Sequence, residues 1–557
     1  MTLLRSLAAA LCLVAAPPLA AKEAVQRPNF LIILADDLGY SDIGAFGGEI
    51  ETPNLDALAS RGLKFTDLHA APTCSPTRAM LLSGLDNHQA GLGSMAESLA
   101  ANQRGRAGYE GYLRPDAISL AERLGAAGYR TLLSGKWHLG LAPDQDPQAR
   151  GFQRSFTMLH GSHNHYGLGL ATDPAKGVTY RENGQTLASL PKDFYSSDAF
   201  ATKLIDQLRD TGKSRDRAPF FAYLAFSAPH WPLHAPAETI AKYKGRYDAG
   251  YEALRERRLK RQVELGLLDA QVTPHAFDLS KPWASLTAEQ KAREARRMEV
   301  YAAMVDRLDW NVGRVVQALK DSGEYDNTVI LFLADNGAEG SALEDRAIPR
   351  IAARYDAADN SLDNIGAPTS YESVGPGWAE AASAPAWRYK AYATEGGTRV
   401  VSFLAGPGIP KRISSAYASI MDVVPTFLDL AAVDQGGTEF AGRPAIAVRG
   451  RSWAPLLGGQ ADATYPADVA IGAELFGGRS LRRGDWKLLD TGDGTWRLHD
   501  LSRDPGERTD LSNREPQLKA ALIAQYEAYA REVGVIPPAE RQAFLGQPSP
   551  RAEPRGE

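Results

Sequence analysis

Cysteine is almost missing from this 557-residue chain: only Cys12 and Cys74 occur. Removal of an N-terminal leader would leave Cys74 alone, so an exported form has no internal disulfide. A lone thiol in an oxidising compartment is either buried and inert or chemically special. Excess positive charge is missing too. The formal net charge is -5, which gives no global field to attract nucleic acid or an anionic membrane. An anionic small molecule would have to be drawn by a local cationic site. Long apolar runs are also absent. Ser6 to Ala16 is nearly all apolar but too short for a stable membrane span. With Arg5 before it and Pro17, Pro18, Leu19, Ala20 and Ala21 after it, this stretch reads as a signal peptide over residues 1–21. That predicts a periplasmic or secreted protein. No internal repeat is evident.

The composition is that of a soluble globular protein, 44% apolar and 23% charged. The length calls for more than one small core. Five apolar runs read as buried strands of a mostly parallel sheet: Asn29 to Leu34, Tyr129 to Leu133, Phe220 to Phe226, Thr328 to Leu333 and Val400 to Leu404. Helical stretches separate them. Pro53 to Arg61 is stopped by Gly62. Thr287 to Lys320 starts with a capping-box pattern, Thr287 and Gln290, and carries Met304, Leu308, Val312, Val315 and Leu319 at helical spacing. That stripe predicts core. The alternation predicts an α/β sandwich, spanning residues 22–457. From about Gly458 the texture changes to short strand-like pieces (Val469 to Ala473, Ser480 to Arg482, Trp486 to Leu489, Trp496 to His499) and a helix from about Gln517 to Val533. This predicts a small C-terminal α+β domain over 458–536, with a mobile tail, rich in Pro, Arg and Glu, over 537–557. Lys242 to Lys281 and Ala338 to Pro385 read as rim excursions between strands.

Four of the strand-like runs lead into a reactive cluster: Asp36-Asp37, Lys136 with His138, His230, and Asp335-Asn336. Ligands of open α/β sheets bind beyond the carboxyl ends of the strands, so these residues are expected to converge on one edge. Three carboxylates and an amide oxygen brought together suit a hard divalent cation, Ca²⁺ or Mg²⁺. No nearby Cys or His pair argues for zinc. Each pair alone also suits a helix cap or a turn. Cys74 lies in Pro72-Thr73-Cys74-Ser75-Pro76-Thr77-Arg78. Pro76 fits a first helical turn with Cys74 or Ser75 at the cap, which puts the sulfur at the positive end of the helix dipole and Arg78 one turn on. A plain reading is an activated thiolate, a poor companion for a hard cation.

Cys74-x-Pro76-x-Arg78 followed by Leu82-x-Gly84 resembles the signature of the formylglycine-dependent sulfatases, and Gly128 to His138 resembles that family's second signature. Further likeness lies in Thr52-Pro53-Asn54-Leu55, Ala228-Pro229-His230, Ala334 to Gly337, Glu395 to Arg399, Arg483 to Lys487 and Asp500 to Glu507. The chain resembles the larger bacterial arylsulfatases. Ser83 and Val401 depart from the family's usual Thr and Pro; neither position is a ligand.

The resemblance implies an alkaline-phosphatase-like fold and hydrolysis of sulfate monoesters, aryl sulfates first among them. It implies that Cys74 is oxidised to 3-oxoalanine (formylglycine) by a maturation enzyme, and that Asp36, Asp37, Asp335 and Asn336 bind one Ca²⁺ (or Mg²⁺) together with residue 74. Arg78 would stabilise the nucleophilic oxygen, and Lys136 and Lys390 would bind sulfate oxygens. His230 is the expected acid for the leaving group. His138 is the expected base that frees the enzyme from its sulfated hemiacetal. A serine at position 74 lacks the second hydroxyl needed for that release. A phosphonate or phosphate monoester hydrolase on the same scaffold is the first alternative, and an exported protein that only binds sulfated ligands is the second. His160, His163 and His165 read as a loop or a pocket wall, with a metal site conceivable; His234 lies in a Pro-rich turn beyond His230, and His69, His88, His275 and His499 read as structural. Glu97 and Asp86 read as supporting or solvent-facing.

Overall fold

The computed structural model describes residues 27–210, 218–345 and 348–539. The leader expected over residues 1–21 and nearly all of the tail expected over 537–557 lie outside them. Ten strands form the main sheet: β1 (Asn29–Asp36), β2 (Leu63–Phe65), β3 (Arg130–Lys136), β4 (Arg154–Met158), β5 (Tyr180–Glu182), β6 (Gln185–Thr186), β7 (Phe220–Pro229), β8 (Thr328–Ala334), β9 (Ser402–Ala405) and β10 (Arg412–Ser414). Their order across the sheet is β10-β2-β9-β8-β1-β7-β3-β4-β5-β6. The five central strands, β8 to β4 in that order, are mutually parallel. Three of them, β1, β7 and β8, are apolar over most of their length because helices cover a parallel sheet on both faces, and every residue in them is buried. The run at Val400 to Leu404, expected among the parallel strands, pairs antiparallel with β8 instead. A buried apolar run does not encode strand direction.

Helix α1 (Cys74–Ser83) is buried along its whole length. Helices α2 (Ser196–Arg209) and α3 (Ala288–Asp321) pack on each other and on β7. The capping box at Thr287 and Gln290 is present, with each side chain accepting from the other's backbone N–H. The predicted stripe of α3 is buried throughout.

After Ala470 the chain builds an antiparallel sheet of β11 (Ala470–Leu475), β12 (Gly478–Arg483), β13 (Trp486–Asp490) and β14 (Arg497–Asp500), covered by α4 (Pro516–Val533). Its own core is small: Leu481, Leu488, Leu498, Leu522, Tyr526, Tyr529 and Val533. Polar contacts fix it to the main unit. Lys487 Nζ reaches Glu395 Oε1 at 2.8 Å, and the Tyr529 hydroxyl donates to Asp86 at 2.7 Å.

Candidate active site

The parallel register of the central strands brings the acidic pairs together. Leu34 is opposite Leu333 and Ala35 opposite Ala334, so Asp36-Asp37 and Asp335-Asn336 leave the sheet side by side. Asp335 N–H donates to Ala35 O at 3.1 Å, and Asp37 N–H donates to Asp335 Oδ1 at 3.2 Å. On the other side of β1 an irregularity puts Asp36 opposite Pro229, which brings in His230. Gly135, one residue before Lys136, has φ +132 and lies so close to β7 that a Cβ would be 1.9 Å from Ala225 O. Only glycine fits there. A second close approach, Gly337 against Gly396 O, seats the Asp335-Asn336 turn against the segment that carries Lys390.

Cys74 is the first residue of α1, with Thr73 at the N-cap, one position earlier than the spacing suggested. Its thiol is 2% exposed and donates to Asp37 Oδ1 at 3.8 Å. Burial pushes its pKa well above the ordinary value, against Lys136 and Lys390, which pull it down. The expectation of an activated thiolate is therefore corrected: desolvation outweighs the helix dipole and the nearby cations, and the group stays a neutral thiol.

The other predicted site residues, His138 apart, join Cys74 in one contact network. Arg78 donates through Nε and Nη2 to Asp335 Oδ2 at 3.0 and 2.8 Å, and through Nη1 to Lys136 O at 3.0 Å. Lys136 Nζ lies 2.6 Å from Asp36 Oδ2. Lys390 Nζ lies 2.8 Å from Asp37 Oδ1 and 2.9 Å from Glu339 Oε2. Asn336 Nδ2 donates to Asp37 Oδ1 at 2.8 Å. Burial alone would raise Asp37, but Lys390, His230 and Lys136 hold its carboxyl well below the usual range. Asp335 is raised by burial and by its neighbour Asp36, against Arg78 and Lys136.

Not every oxygen in this network has a donor. Asp36 Oδ1 and Asn336 Oδ1 are buried without a hydrogen-bond partner among the described residues. Asp36, Asp37, Cys74 and Asp335 each offer one potential ligand atom, all within 4.8 Å of one another. Orphaned hard oxygens beside clustered carboxylates fit a Ca²⁺ or Mg²⁺ ion; buried polar atoms are otherwise nearly always paired.

His230 Nε2 faces Asp37 Oδ2 at 3.5 Å, and its Nδ1 donates to Trp231 O at 2.5 Å. Burial pushes its pKa down to about 3 despite Asp37. His138 stands two residues past Lys136 with a positive φ of 58. Its Nε2 is 3.1 Å from Glu97 Oε1, and its Nδ1 is buried without a partner. Glu97, 38% exposed in its side chain, is thus the residue that orients His138.

His163 and His165 lie in a loop, as expected, but a buried one. His163 bridges Ser227 Oγ at 2.6 Å and the Tyr180 hydroxyl at 2.5 Å. His165 contacts Ser196 Oγ and the backbone oxygen of His230, and His234 contacts Ser370 O. His160 is bound to Pro174 O. His69 is paired with Glu395, and His88 sits between Asp86 and Glu474 at the junction with the small sheet. His275 and His499 bond backbone oxygens. Glu339 was missed by sequence reasoning. It sits three residues beyond Asn336 on the same strand exit, and that position was the available signal.

Residues 28–433 match the family described as Sulfatase. An uncharacterized sulfatase of Schizosaccharomyces pombe is 46% identical over 92% of this chain and 95% of its own length. An arylsulfatase of Klebsiella aerogenes is 38% identical over 79% of this chain and 93% of its own. Among solved structures, Ps i-CgsB superposes with a TM-score of 0.65 at 24% identity, covering 91% of this chain and 93% of that one; this likeness bears on the fold.

Proposed function

We propose, from the premise that this chain belongs to the sulfatase family and is a sulfuric ester hydrolase, that it cleaves aryl sulfates with a divalent metal and an oxidised Cys74. One observation carries the proposal. A neutral buried thiol lies in one cluster with Asp36, Asp37 and Asp335, and Asp36 Oδ1 and Asn336 Oδ1 at that site lack a hydrogen-bond donor among the described residues. Sulfur is a poor ligand for the cation that those oxygens suit, whereas oxygen in its place would match. Conversion of Cys74 to formylglycine, by a maturation enzyme, would supply that oxygen as a hydrated aldehyde. Asp36, Asp37, Asp335 and Asn336 would hold Ca²⁺ or Mg²⁺, which supplies Lewis acidity and lowers the pKa of a bound hydroxyl.

The chain's own side chains take the remaining roles. Arg78, buried and fixed on Asp335 and Lys136 O, stabilises negative charge at residue 74 without reorganising. Lys136 and Lys390 balance charge on the sulfate group. Glu97 accepts from His138 Nε2, which leaves Nδ1 as the atom that takes a proton. His230 holds its Nδ1 proton on Trp231 O, so it donates from Nε2 only after taking up a second proton. That demand is lightest for an aryl ester, whose phenoxide leaves with little help. The kinship with an arylsulfatase favours the same substrates. Export to the periplasm or the exterior completes the proposal, and the N-terminus of the mature protein tests it. Among the described residues no helix is long and apolar enough to cross a membrane.

The test joins mass analysis of the Cys74 peptide with paired kinetics on 4-nitrophenyl sulfate and 4-nitrophenyl phosphate, with and without a chelator. The expected result is an aldehyde at position 74 and a kcat/KM that favours the sulfate and is lost on chelation. An unmodified thiol in fully active enzyme would refute the nucleophile, and a preference for the phosphate would refute the substrate.

A further inference from the structure

Sulfate and phosphate monoesters of one alcohol differ chiefly in charge. A sulfate monoester carries one negative charge, whereas a phosphate monoester above its second pKa, near 6, carries two. The buried groups at the site set which charge is matched. Four carboxylates (Asp36, Asp37, Asp335 and Glu339) face three cations (Arg78, Lys136 and Lys390), all of them 3% exposed or less. They are joined by direct ion pairs. The Glu97–His138 pair is hydrogen-bonded to none of them. With a divalent cation the set carries one net positive charge, which a sulfate monoester cancels and a dianionic phosphate exceeds.

Glu339 differs from the other three acids. Asp36, Asp37 and Asp335 each offer an oxygen to the common cluster with Cys74, whereas Glu339 groups with Asp37 and His230, one atom of each lying within 4.8 Å of the others. Its Oε2 lies 2.9 Å from Lys390 Nζ, and its Oε1 accepts from Ser341 N–H at 2.6 Å. Lys390 already has a carboxylate partner in Asp37, at 2.8 Å. A second carboxylate on the same ammonium is not needed to keep Lys390 in place or charged. What it adds is one more negative charge, buried against a lysine that the sulfatase reading assigns to the substrate's sulfate.

We propose that Glu339 is a specificity-determining residue: by partly cancelling Lys390 it tunes the site to monoanionic esters and against dianionic ones. This rests on the sulfatase reading of the same site. The charge of Glu339 repels a dianion twice as strongly as a monoanion, so its removal helps phosphate more than sulfate. For unit charges several ångströms apart in a partly screened interior, the preference shifts on the order of 10–100-fold.

The experiment compares wild type, Glu339→Gln, Glu339→Ala and Glu339→Asp at pH 8, where the phosphate ester is doubly ionised. Two quantities are read: the ratio of kcat/KM for 4-nitrophenyl sulfate over 4-nitrophenyl phosphate, and the calorimetric dissociation constants of inorganic sulfate and inorganic phosphate. Gln keeps an acceptor for Ser341 N–H and Lys390, Ala keeps none, and both remove the charge. The expected result is that both neutral variants lower the ratio at least about tenfold and tighten phosphate relative to sulfate by a like factor, whereas Asp stays near wild type. Should only one neutral variant fold, that one decides. Parallel loss on both esters with an unchanged ratio and unchanged relative anion affinities would mean that Glu339 merely positions Lys390, and the proposal falls. If wild type turns over neither ester, the sulfatase reading fails separately, and the anion affinities still decide the role of Glu339.

Discussion

Two buried acid clusters lie within a few residues of each other in sequence, and they are built to opposite rules. Asp42 and Glu49 close around Arg258. Asp42 Oδ1 takes Arg258 Nη1 at 2.5 Å, and Oδ2 takes Gly39 N–H and the Tyr301 hydroxyl at 2.7 and 2.6 Å. Glu49 takes Arg258 Nε and Nη2 and the Tyr247 hydroxyl. Every oxygen there has a donor. Asp36, Asp37 and Asp335 crowd one another instead: among the described residues Asp36 Oδ1 has only a 3.5 Å ion-pair contact with Arg78 and no hydrogen-bond donor, and Asn336 Oδ1 has no donor either. Asp42 is as fully buried as Asp36, Asp37 and Asp335, whereas the Glu49 side chain is 27% exposed, so full burial of a carboxylate does not by itself mark function. The mark is unfinished pairing: a cluster that closes on itself contributes to the fold, and one that keeps free acceptors is shaped for something that arrives later.

The sharpest way to break this comparison is to neutralise one acid in each cluster's balance and see which property fails. In the open cluster, Asp335→Asn removes a metal-facing charge. It is expected to lower kcat/KM for an aryl sulfate by about 10³-fold, the several kcal/mol that a well-placed metal supplies. Stability of the chelated protein should fall less than in the closed cluster, because burial and Asp36 already disfavour the charge on Asp335 and Asn keeps an acceptor oxygen for Arg78. Calcium- or magnesium-dependent thermal stabilisation should shrink in the variant. A variant that keeps wild-type turnover and wild-type metal stabilisation would contradict the role given to the open cluster.

In the closed cluster the expected failure is in folding. Arg258 is 1% exposed in its side chain and serves both Asp42 and Glu49. Arg258→Met leaves Asp42 buried without its cation, a loss of about 3 kcal/mol or more, in the range seen when one partner of a buried pair is deleted. Urea titration reads the effect, and kcat per folded molecule should stay within a few-fold of wild type. If Arg258→Met unfolds nothing but abolishes turnover, the two clusters are not divided as described.

Much of this was legible in the sequence, for reasons that differ from residue to residue. The strand cores could be read because a parallel sheet covered on both faces requires unbroken apolar runs, and Asn29 to Leu34 and Thr328 to Leu333 are such runs. The candidate ligands could be read because those runs end in Asp36-Asp37 and Asp335-Asn336, and parallel register does the rest. The direction of β9 could not, since a buried strand looks the same either way round. Nor could the state of Cys74: a helix N-terminus and two lysines argue for a thiolate, and only the full enclosure of the sulfur shows that desolvation wins. Glu339 escaped because it works through a partner distant in sequence, Lys390, and sits in no pattern of its own; Glu97 could be read as supporting or solvent-facing, but not assigned to His138, for the same reason. The loop reading of His160 to His165 holds, since they lie between strands, but their burial could not be read, because polar spacing gives no hint that Tyr180, Ser196 and Ser227 fold over them.

Those histidines give the smallest and most specific effect, and they extend the closed-versus-open distinction to groups without charge. His234 is fully buried; its Nε2 bonds Ser370 O at 2.9 Å and its Nδ1 faces His165 N–H at 3.4 Å. One donor and one acceptor are used, as a neutral imidazole requires. The other groups around it are the rings of His165 and Tyr166 and the Tyr195 hydroxyl, which donates to its backbone oxygen. Burial, helped by His165, pushes its pKa from 6.5 down to about 3. The unfolded chain therefore binds a proton that the folded one refuses between those values. Stability due to the neutral ring is full above pH 6.5 and is lost as pH falls toward 3, by about 1.4 kcal/mol per pH unit. Raised carboxylates such as Asp309 and Asp422, both near 6, titrate in the opposite sense, so only a difference against a variant isolates the histidine. His234→Gln should be less stable than wild type at pH 7.5, where it loses a fitted ring, and the gap should close by about 1 kcal/mol on going to pH 5.5. Urea midpoints at the two pH values measure it. A gap that stays constant would show that His234 accepts its proton within the fold, and a gap that widens would show that a carboxylate, not the His165 and Tyr166 rings, governs its neighbourhood.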